Sequence, residues 1–249
     1  LEFENEIVKR KLFIRDLKRC SRCALPETFP FIDFVDDGVC NYCENHKLLK
    51  FKGKKELNNY LEKFKSSSNI EHDCLLPFSG GRDSSYVMHL IKKEYEMNPI
   101  AFSYDWGMLT DLARRNQSLM CSELGIEHIL ISADIRKKRK YIQKNVLAWL
   151  KRPSLGTIPL FMAGDKQYFY YSNLLMKQNK LNLSIMGENM LETTRFKTGF
   201  CGIKPNFNNE KTYSISKKDK AKMLMFYGKE FLLNSSYFNS SLLDTLDAF

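Results

Sequence analysis

The sequence predicts an α/β fold with a parallel sheet, preceded by a small cysteine-rich module. Three observations support this prediction. Apolar, strand-like runs alternate with helix-like runs from about residue 70 onward, a Ser-Gly-Gly turn follows the first of these runs, and two Cys-x2-Cys pairs precede them. Such alternation is typical of βαβ units, in which helices cover both faces of a parallel sheet.

The strand and helix candidates follow one another along the chain. Strands are predicted at 74–78, 99–104, 127–132 and 182–187, and helices at 83–97, 110–124, 135–150 and 160–180. A helical pattern that Gly53 interrupts covers residues 47–65, a basic helix candidate follows residue 206, and residues 1–19 form a polar lead-in without an assigned element. The serine-rich joint at 66–69 places a boundary between a module over 1–66 and a domain over 67–249, and we expect that domain to be cut short at its C-terminus.

The charge balance is basic. The 249 residues carry 39 Lys and Arg against 29 Asp and Glu, a net charge of +10. This favours anionic ligands such as nucleotides, nucleic acids or acidic sugars, and the alternative is a lysine-rich, solvated surface. The run RKKRK at 136–140 is more typical of a solvated helix face than of a recognition patch. No apolar run is long enough to span a membrane and no signal peptide is visible, so we expect a soluble, cytoplasmic protein.

Four of the seven cysteines are paired by spacing. Cys20 and Cys23 form one Cys-x2-Cys pair, and Cys40 and Cys43 form a second one after sixteen intervening residues. Two such knuckles can hold one Zn²⁺ in a closed tetrahedral thiolate site, which predicts a structural metal that supplies folding energy to the module. The same ligands could hold an iron–sulfur cluster, or the pairs could be buried thiols by chance. His46 is either a substitute ligand or a helix-start residue.

A glycine-rich loop follows the first strand candidate. After Cys74–Phe78 come Ser79, Gly80 and Gly81, and the two glycines allow positive φ and close approach of backbone to an anion. Asp83, Ser84 and Ser85 begin the next helix and suit its N-cap region, and the N-terminus of that helix would direct free N–H groups at a phosphate. Neither G-x-x-x-x-G-K-[ST] nor G-x-G-x-x-G is present. The alternative to an anion-binding loop at this position is a simple turn.

The segment SGGRDS at 79–84 resembles the PP-loop of the ATP pyrophosphatase superfamily. The resemblance implies an adenine-nucleotide α-hydrolase-like domain that cleaves ATP between its α- and β-phosphates, with Mg²⁺ bridging the phosphates, and adenylates a carbonyl oxygen of its substrate. It would explain why the loop lacks the usual lysine, since the loop would hold a leaving pyrophosphate. The nucleotide contacts that it implies here are Phe78, Ser79, Gly80, Gly81, Arg82, Asp83, Ser84 and Ser85.

Two later stretches extend the resemblance. In SYDWGMLTD, the end of the second strand would lie near adenine and ribose, which implies contacts from Ser103, Tyr104 and Asp105. GENMLETTRF at 187–196 is similar to the G-x-x-x-D-x-x-E-T segment of PP-loop enzymes, but no Asp stands at the expected position. Glu188 would then supply the acid. The alternative for Glu188 and for Glu192 of the same segment is a position on a solvated helix face. The resemblance adds Gly187 and Thr193 to the nucleotide site and names as catalytic Asp83, Glu188, Glu192 and Lys197.

The order of the blocks narrows the resemblance further. CSRCALPETFP, DDGVCNYC, PFSGGRDSSY, YDWGMLTDLARRN and GENMLETTRFKTGF together resemble the N-acetyl sugar amidotransferases of bacterial lipopolysaccharide, other surface-polysaccharide and flagellin-glycan pathways, over roughly residues 18–205. This implies conversion of an acetamido group on a nucleotide-linked sugar to an acetamidino group, with release of AMP. Three cations are either phosphate-binding or surface residues: Arg82, Arg195 and Lys197. Three further residues are either substrate-binding or helix-surface residues: Thr110, Arg114 and Asn116.

No glutaminase signature is visible. Cys74 and Cys121 lie in core-like patterns, Cys201 is expected to be an exposed free thiol, and no His is placed for a Cys–His dyad. The resemblance therefore implies a separate glutaminase and a barrel-type ammonia-conducting subunit as partners, with no membrane and no nucleic acid. The alternatives are a tRNA-thiolating PP-loop enzyme, which usually needs a catalytic cysteine pair or iron–sulfur cluster in the loop domain, and a zinc-module nucleic-acid binder with an inactive loop.

Overall fold

The computed structural model describes residues 2–35, 37–47, 51–65, 71–159, 167–187, 196–207, 216–239 and 242. The strands are β1 (Cys74–Pro77), β2 (Pro99–Asp105) and β3 (His128–Ser132). The helices are α1 (Glu2–Asp16), α2 (Asn41–Glu44), α3 (Lys54–Leu61), α4 (Arg82–His89), α5 (Asp111–Leu124), α6 (Ile135–Lys151), α7 (Gln167–Gln178), α8 (Phe196–Phe200) and α9 (Lys217–Leu233). None of these helices is long and apolar enough to cross a membrane.

The chain divides into two compact units. The first, called here the cysteine unit, comprises Leu1–Lys50 and Thr194–Gly228, and the second, the sheet unit, comprises Phe51–Thr193 and Lys229–Phe249. Each unit is therefore built from two separate stretches of sequence. The boundary predicted at 66–69 falls outside the described residues and stays a prediction.

The three strands form a parallel sheet in the order β1-β2-β3, which confirms the predicted α/β class. Cys74 pairs with Pro99 and Pro77 with Phe102, and Ala101 of β2 pairs with His128. The fourth predicted strand, 182–187, is a single parallel bridge in which Ser184 lies beside Leu75 on the other edge of β1. β1 therefore has neighbours on both edges. Open α/β sheets bind ligands at the carboxyl ends of their strands, at the point where the chain connections diverge to opposite sides.

Both faces of β1 are buried, which explains why its sequence is apolar throughout. On one face Cys74 and Leu76 pack in a cluster that includes Met88 of α4 and Cys121 of α5. On the other face Leu75 packs in a second cluster, which holds Phe102 and Leu175. Each fully buried Leu or Phe side chain contributes about 1.5–3 kcal/mol relative to exposure. The two clusters hold β1 rigidly beneath the loop that follows it.

The predicted helices of the sheet unit begin and end at identifiable signals. Thr110 caps α5 by accepting a hydrogen bond from the Ala113 N–H at 3.2 Å, and Gly125 ends that helix with φ of 60°. Asp134 caps α6 in the same way, accepting from the Lys137 N–H at 3.0 Å. The predicted helix 83–97 begins at Arg82 and passes into a single π-helical turn over Leu90–Glu94. The described part of predicted helix 160–180 is α7, and 160–166 lie outside the described residues.

The cysteine unit contains structure that the sequence pattern did not indicate. Residues 2–16, expected to be a lead-in without an element, form helix α1. Short antiparallel bridges join Arg19 to Pro26, around the first cysteine pair, and Phe34 to Cys40, at the start of the second. α8 approaches the same segment so closely that a Cβ on Gly199 would lie 2.9 Å from Cβ of Pro30. Residues far apart in sequence thus pack into one unit.

Candidate functional site

The loop Ser79–Gly81 leaves β1 at its carboxyl end and enters α4 without a side-chain cap. Gly81 is the N-cap residue, in an extended conformation, and no side chain caps its helix. The helix begins at Arg82, one residue before the predicted start, so Asp83, Ser84 and Ser85 lie in its first turn and none of them is the N-cap residue itself. The N–H groups of the first helical turn have no partner within a helix, so they are available to an anion.

Only glycine can occupy position 80 without a rearrangement of the surrounding backbone. Its φ is +76°, which L side chains rarely adopt, and an added Cβ would lie 2.5 Å from the backbone oxygen of Ala113. The same Cβ would lie 3.1 Å from Cγ of Gln117. The backbone of the loop thus passes directly against helix α5. The predicted positive φ is present at Gly80 but not at Gly81, whose φ is −83°.

Side chains of α5 and β2 bind the carbonyl groups of the loop. Asn116 Nδ2 donates to the Gly80 carbonyl at 3.1 Å, and Gln117 Nε2 donates to the Phe78 carbonyl at 3.2 Å. The Ser103 hydroxyl donates to the same Phe78 carbonyl. Because these carbonyls are engaged on the protein side, the loop is held in one conformation, which is the pre-organisation that a phosphate-binding loop requires.

The serine hydroxyls of the motif line the inside of the loop. Ser79 Oγ lies 3.0 Å from Ser84 Oγ and accepts from the Gly81 N–H at 3.2 Å. Ser85 Oγ donates to the Gly81 carbonyl at 2.8 Å, and Ser84 Oγ lies 3.2 Å from the same carbonyl. Ser79 is exposed whereas Ser84 is buried. The structure thus brings together Ser79, Ser84 and Ser85 around one turn, as the motif predicts.

The two charged residues of the motif point to solvent. The Arg82 side chain is 95% exposed, and its Nε lies 3.6 Å from Asp83 Oδ1. An ion pair this exposed contributes little to stability, typically below about 1 kcal/mol. Asp83 is more than half exposed at the first turn of α4, so its carboxylate is available to a cation. This exposure suits the predicted role of Asp83, and it leaves Arg82 without a fixed position.

The three residues at the end of β2 differ in their environments. Ser103 is buried, and its hydroxyl lies 2.8 Å from His128 Nε2. The Ser103 proton is already directed at a carbonyl, so His128 Nε2 is the donor in that contact. Tyr104 donates from its hydroxyl to Gln167 Oε1 at 2.8 Å. Asp105 is buried, and its carboxylate accepts from the Gly107 N–H at 2.8 Å and from the Arg114 guanidinium.

A cavity of about 490 Å³ opens beside the loop within the sheet unit. Its walls are mostly aromatic and aliphatic, with hydroxyls of the loop at one end, and Phe102 stacks on Tyr168 with ring centroids 6.0 Å apart. The lining residues are Pro77, Phe78, Ser79, Ser84, Phe102, Ser103, Tyr104, Trp106, Met108, Leu109, Gln117, Tyr168, Phe169, Met186 and Gly187. An apolar cavity with a few convergent polar groups is the usual form of a small-molecule site.

Gly187 lies against the start of α4, as the later motif predicts. A Cβ at this position would lie 2.9 Å from Cα of Ser84 and 3.3 Å from the carbonyl oxygen of Asp83. The segment that follows the bridge to β1 therefore reaches the same loop. Glu188, Glu192, Thr193 and Arg195 lie outside the described residues, and Lys197 lies on α8 with its side chain outside the described part of the chain. Their predicted roles stay predictions.

The four paired cysteines come together in the cysteine unit. Their sulfur atoms all lie within 4.8 Å of one another, with 3.9 Å between Cys20 and Cys43 and 3.6 Å between Cys23 and Cys40. Four sulfurs at Zn–S distances of about 2.3 Å stand about 3.8 Å apart in a tetrahedron. The donor set therefore fits a single tetrahedral ion, whereas in a four-iron cluster each thiolate binds a different iron and the sulfurs stand farther apart. His46 is not part of this group.

The thiols of this cluster differ in acidity. Burial raises the pKa of Cys43 to about 12 and also raises the pKa of Cys40. Burial opposes ionisation of Cys20 as well, but backbone N–H donors of Cys23, Arg22 and Cys40 outweigh it and lower the Cys20 pKa to about 6. The N–H groups aimed at the Cys20 sulfur favour a thiolate there, and a bound cation would deprotonate the others.

The remaining cysteines are buried. Cys74 and Cys121 lie in the core as predicted, and burial raises the pKa of both thiols, that of Cys74 to about 12. The prediction that Cys201 is exposed is wrong: it is buried in the cysteine unit with its sulfur 3.8 Å from the Tyr227 hydroxyl. Protonated thiols are poor nucleophiles, so Cys74 and Cys121 are not suited to thiol chemistry.

Several residues that shape the site were not singled out by the sequence. The sequence assigns no role to Gln117 or His128, and it leaves Asn116 as either a substrate-binding or a helix-surface residue. All three lie in ordinary helix or strand patterns, and their role depends on α5 and β3 crossing near the loop. A buried Gln on an otherwise apolar helix face is the one signal that could have indicated Gln117.

No protein-family model matches the chain. It is similar to a protein of uncharacterized function from Methanocaldococcus jannaschii, 26% identical over 122 residues, which is 47% of this chain and 43% of that protein. The chain thus spans less than half of that relative. Among solved structures it is similar to the U34-tRNA thiolase NcsA from Methanococcus maripaludis with its [4Fe-4S] cluster, 15% identical over 92% of this chain and 86% of that one, with a TM-score of 0.27. Similarity at this level carries neither activity nor cofactor to this chain.

Proposed function

We propose that the protein is an ATP-dependent enzyme of the PP-loop class that transfers AMP to a carbonyl oxygen of its substrate. The observation that carries this proposal is the loop after β1, in which Gly80 adopts positive φ against α5 while Asn116 and Gln117 hold the loop carbonyls. Such a loop directs the N–H groups of a helix start toward an anion. It lacks a lysine, which agrees with a loop that holds departing pyrophosphate.

The loop and the adjoining cavity give ATP a place for each of its parts. The pyrophosphate would bind at Ser79 and the first turn of α4, which are positioned by the packing of Gly80 on α5 and of Gly187 on Ser84. The adenosine would occupy the adjoining cavity of about 490 Å³, whose aromatic walls suit a purine. Mg²⁺ would be held by Asp83 together with phosphate oxygens, and when bound it neutralises charge on the phosphates.

The substrate that we propose is an acetamido sugar in its nucleotide-linked form. The amide oxygen attacks the α-phosphorus of ATP, the bond to the β-phosphate oxygen breaks, and pyrophosphate leaves. Ammonia then adds to the carbon of the resulting O-adenyl imidate, loses a proton, and expels AMP to give the acetamidino group. Adenylation is the step that requires the enzyme, because an amide oxygen is otherwise a poor leaving group. The proposal of this substrate rests on the order of the sequence motifs.

The ammonia would come from partner proteins. The described cysteines of the sheet unit, Cys74 and Cys121, are buried with raised pKa values, which leaves them unsuited to a glutaminase nucleophile. We propose a separate glutaminase and a barrel-type subunit that conducts ammonia. The same burial weighs against tRNA thiolation through a persulfide on either of these two thiols.

The four-cysteine cluster is proposed to hold Zn²⁺ in a structural role. All four corners of the tetrahedron are protein thiols, so a bound ion has no open position for substrate. The sulfur–sulfur distances of 3.6 and 3.9 Å support a single ion. Metal analysis of protein purified without added metal tests this: about one zinc per chain is expected, and iron with acid-labile sulfide would contradict it.

One assay separates the candidate reactions. The protein is incubated with ATP, Mg²⁺, ammonium and an N-acetylated nucleotide sugar, and we expect AMP together with a sugar lighter by the difference between oxygen and an NH group. AMP that forms with tRNA and a sulfur donor, but not with the sugar, would refute the amidotransferase proposal and retain the PP-loop. If no AMP forms under either condition and the protein retains RNA on a filter, both the amidotransferase proposal and the PP-loop assignment would be refuted.

The loop itself is tested by Asp83→Ala. Asp83 is exposed, so its removal should leave the fold intact while AMP formation is lost. Glu123→Ala, a change of another exposed acid in the sheet unit, serves as the matched control and should retain activity. Unchanged AMP formation by the Asp83 variant would contradict the assignment of Asp83 to the phosphate site.

A further inference from the structure

We propose that Arg114, fixed in place by the buried carboxylate of Asp105, supplies the positive charge that the glycine loop lacks and binds a phosphate oxygen of ATP. Asp105 is then a positioning residue that acts through Arg114, and it does not contact the ribose. This inference rests on the proposed ATP site and deepens it, since it names the cation that accompanies the loop.

Asp105 is placed where a counter-ion for Arg114 is needed. Its side chain is 2% exposed at the last residue of β2, and one carboxylate oxygen accepts from the Gly107 N–H at 2.8 Å. The other oxygen pairs with the Arg114 guanidinium. A buried carboxylate is costly unless it is paired and hydrogen-bonded, so this carboxylate holds the guanidinium firmly. Both oxygens have protein donors, which leaves Asp105 poorly suited to bind a ribose hydroxyl.

Arg114 is one helical turn or less from the residues that contact the loop. Its neighbour Ala113 has its backbone oxygen against Gly80, and Asn116 donates to the Gly80 carbonyl. The strand register brings Asp105 to the same edge, because Pro77 pairs with Phe102 and each chain continues three residues beyond that pair. The guanidinium bound to Asp105 therefore lies at the carboxyl edge of the sheet, the edge from which the loop also leaves β1.

The exposure of Arg114 suits a ligand contact. Its side chain is 49% exposed although its partner is buried, so part of the guanidinium faces solvent. A guanidinium has five N–H donors in a planar fork, and one carboxylate oxygen cannot use them all. The remaining donors match the oxygens of a phosphate. Arg82, by contrast, is 95% exposed and has only an exposed carboxylate nearby.

The test measures binding of Mg²⁺·ATP and of inorganic pyrophosphate to the full chain by calorimetry. Arg114→Gln should weaken binding of both by about 10- to 100-fold, since charge-assisted hydrogen bonds are the strong ones. Arg115→Gln is the matched control, because Arg115 is exposed on the same helix but rotated by about 100°. This control should bind within about twofold of the wild type.

The double variant Asp105→Asn/Arg114→Gln separates positioning from a structural role. Asp105→Asn alone keeps an acceptor for the Gly107 N–H but releases Arg114, and it should weaken ATP binding. If Asp105 acts through Arg114, the same change should have no further effect on binding in the Arg114→Gln background. The double variant also removes the unpaired buried charge, so it gives a folded comparison should Arg114→Gln alone unfold.

The outcomes are distinguishable. Loss of binding in Arg114→Gln and in the double variant, but not in Arg115→Gln, supports the inference. Equal binding by the Arg114 and Arg115 variants, in a wild type that binds ATP and loses it on Asp83→Ala, overturns the inference and leaves the proposed function standing. A wild type that binds neither ATP nor pyrophosphate overturns both.

Discussion

Gly80 combines two constraints at one position, and they can be separated by experiment. Its φ of +76° is unfavourable for any L residue. In addition, the position that a Cβ would occupy lies 2.5 Å from the carbonyl oxygen of Ala113. Gly125 has a similar φ of +60°, but a Cβ there would meet nothing within 4 Å. The two glycines therefore form a matched pair, in which only Gly80 adds a steric clash to the backbone strain.

We predict that Gly80→Ala lowers the free energy of unfolding more than Gly125→Ala does. The Gly125 variant should lose about 1 kcal/mol from strain alone, and the Gly80 variant about 2–3 kcal/mol because the backbone of α5 must also shift. Urea denaturation of both variants checks this. Mg²⁺·ATP binding should fall only in the Gly80 variant, and equal losses of stability in the two variants would contradict the described approach of loop and helix.

At the residue scale, the sequence predicts what is local and misses what depends on contact. The run Ser79–Ser85 carries its own signal, because glycine and hydroxyl residues between an apolar run and a helix indicate an anion-binding turn. Lys138 lies in the run RKKRK expected to be solvated, yet it is buried on α6, unlike its charged neighbours. The Asp105–Arg114 pair was likewise not predicted, since it depends on how α5 crosses the end of β2.

At the scale of elements, burial made β1, β2 and most helices of the sheet unit predictable. β1 and β2 are apolar because both faces are covered, and the capping residues Thr110 and Asp134 stand at the predicted helix starts. α1 lacks such a signal, because its apolar residues fall on several sides of the helix and include exposed Val8 and Phe13. Periodicity identifies an element only where one face is buried.

β3 supports β2, and through it the loop, by a contact from a histidine side chain. His128 at the start of β3 donates from Nε2 to Ser103 of β2 at 2.8 Å, and Ser103 in turn binds the Phe78 carbonyl before the loop. Burial lowers the pKa of His128 below its ordinary value of 6.5. The imidazole is therefore neutral at about pH 7, and protonation places a charge between two strands.

We predict that the protein loses stability as the pH falls below about 6.5 because of His128. The unfolded chain takes up a proton at that pH while the folded chain resists it until its lower pKa, so the contribution is complete above about 6.5 and declines on acidification. His128→Gln keeps a donor for Ser103 but does not titrate. Unfolding measured between about pH 7.5 and 5 should show a shallower decline in the variant, and parallel curves would contradict the assignment.

At the scale of the whole molecule, the cysteine unit contains more than the predicted module. Residues 1–50 are joined there by residues 194–228, which directly follow the GENMLETT segment in sequence. Contacts that carry this union include Gly199 against Pro30 and Phe207 edge-on to Tyr42, with ring centroids 5.5 Å apart. A boundary placed by composition alone could not find this, because the second stretch has no cysteine pair or other motif that links it to the first.

We predict that metal removal loosens both stretches of the cysteine unit together. A module of this size has little core of its own, so loss of the ion should expose the backbone of residues 20–45 and, because they pack on it, of α8 and the first part of α9. Hydrogen exchange read by mass spectrometry, before and after a thiol-competitive chelator, measures this peptide by peptide. Peptides covering β1–β3 should keep their protection, which provides the internal control. If exchange rises only within residues 1–66, the metal stabilises an independent N-terminal module, and residues 194–228 do not belong to the unit that the ion holds.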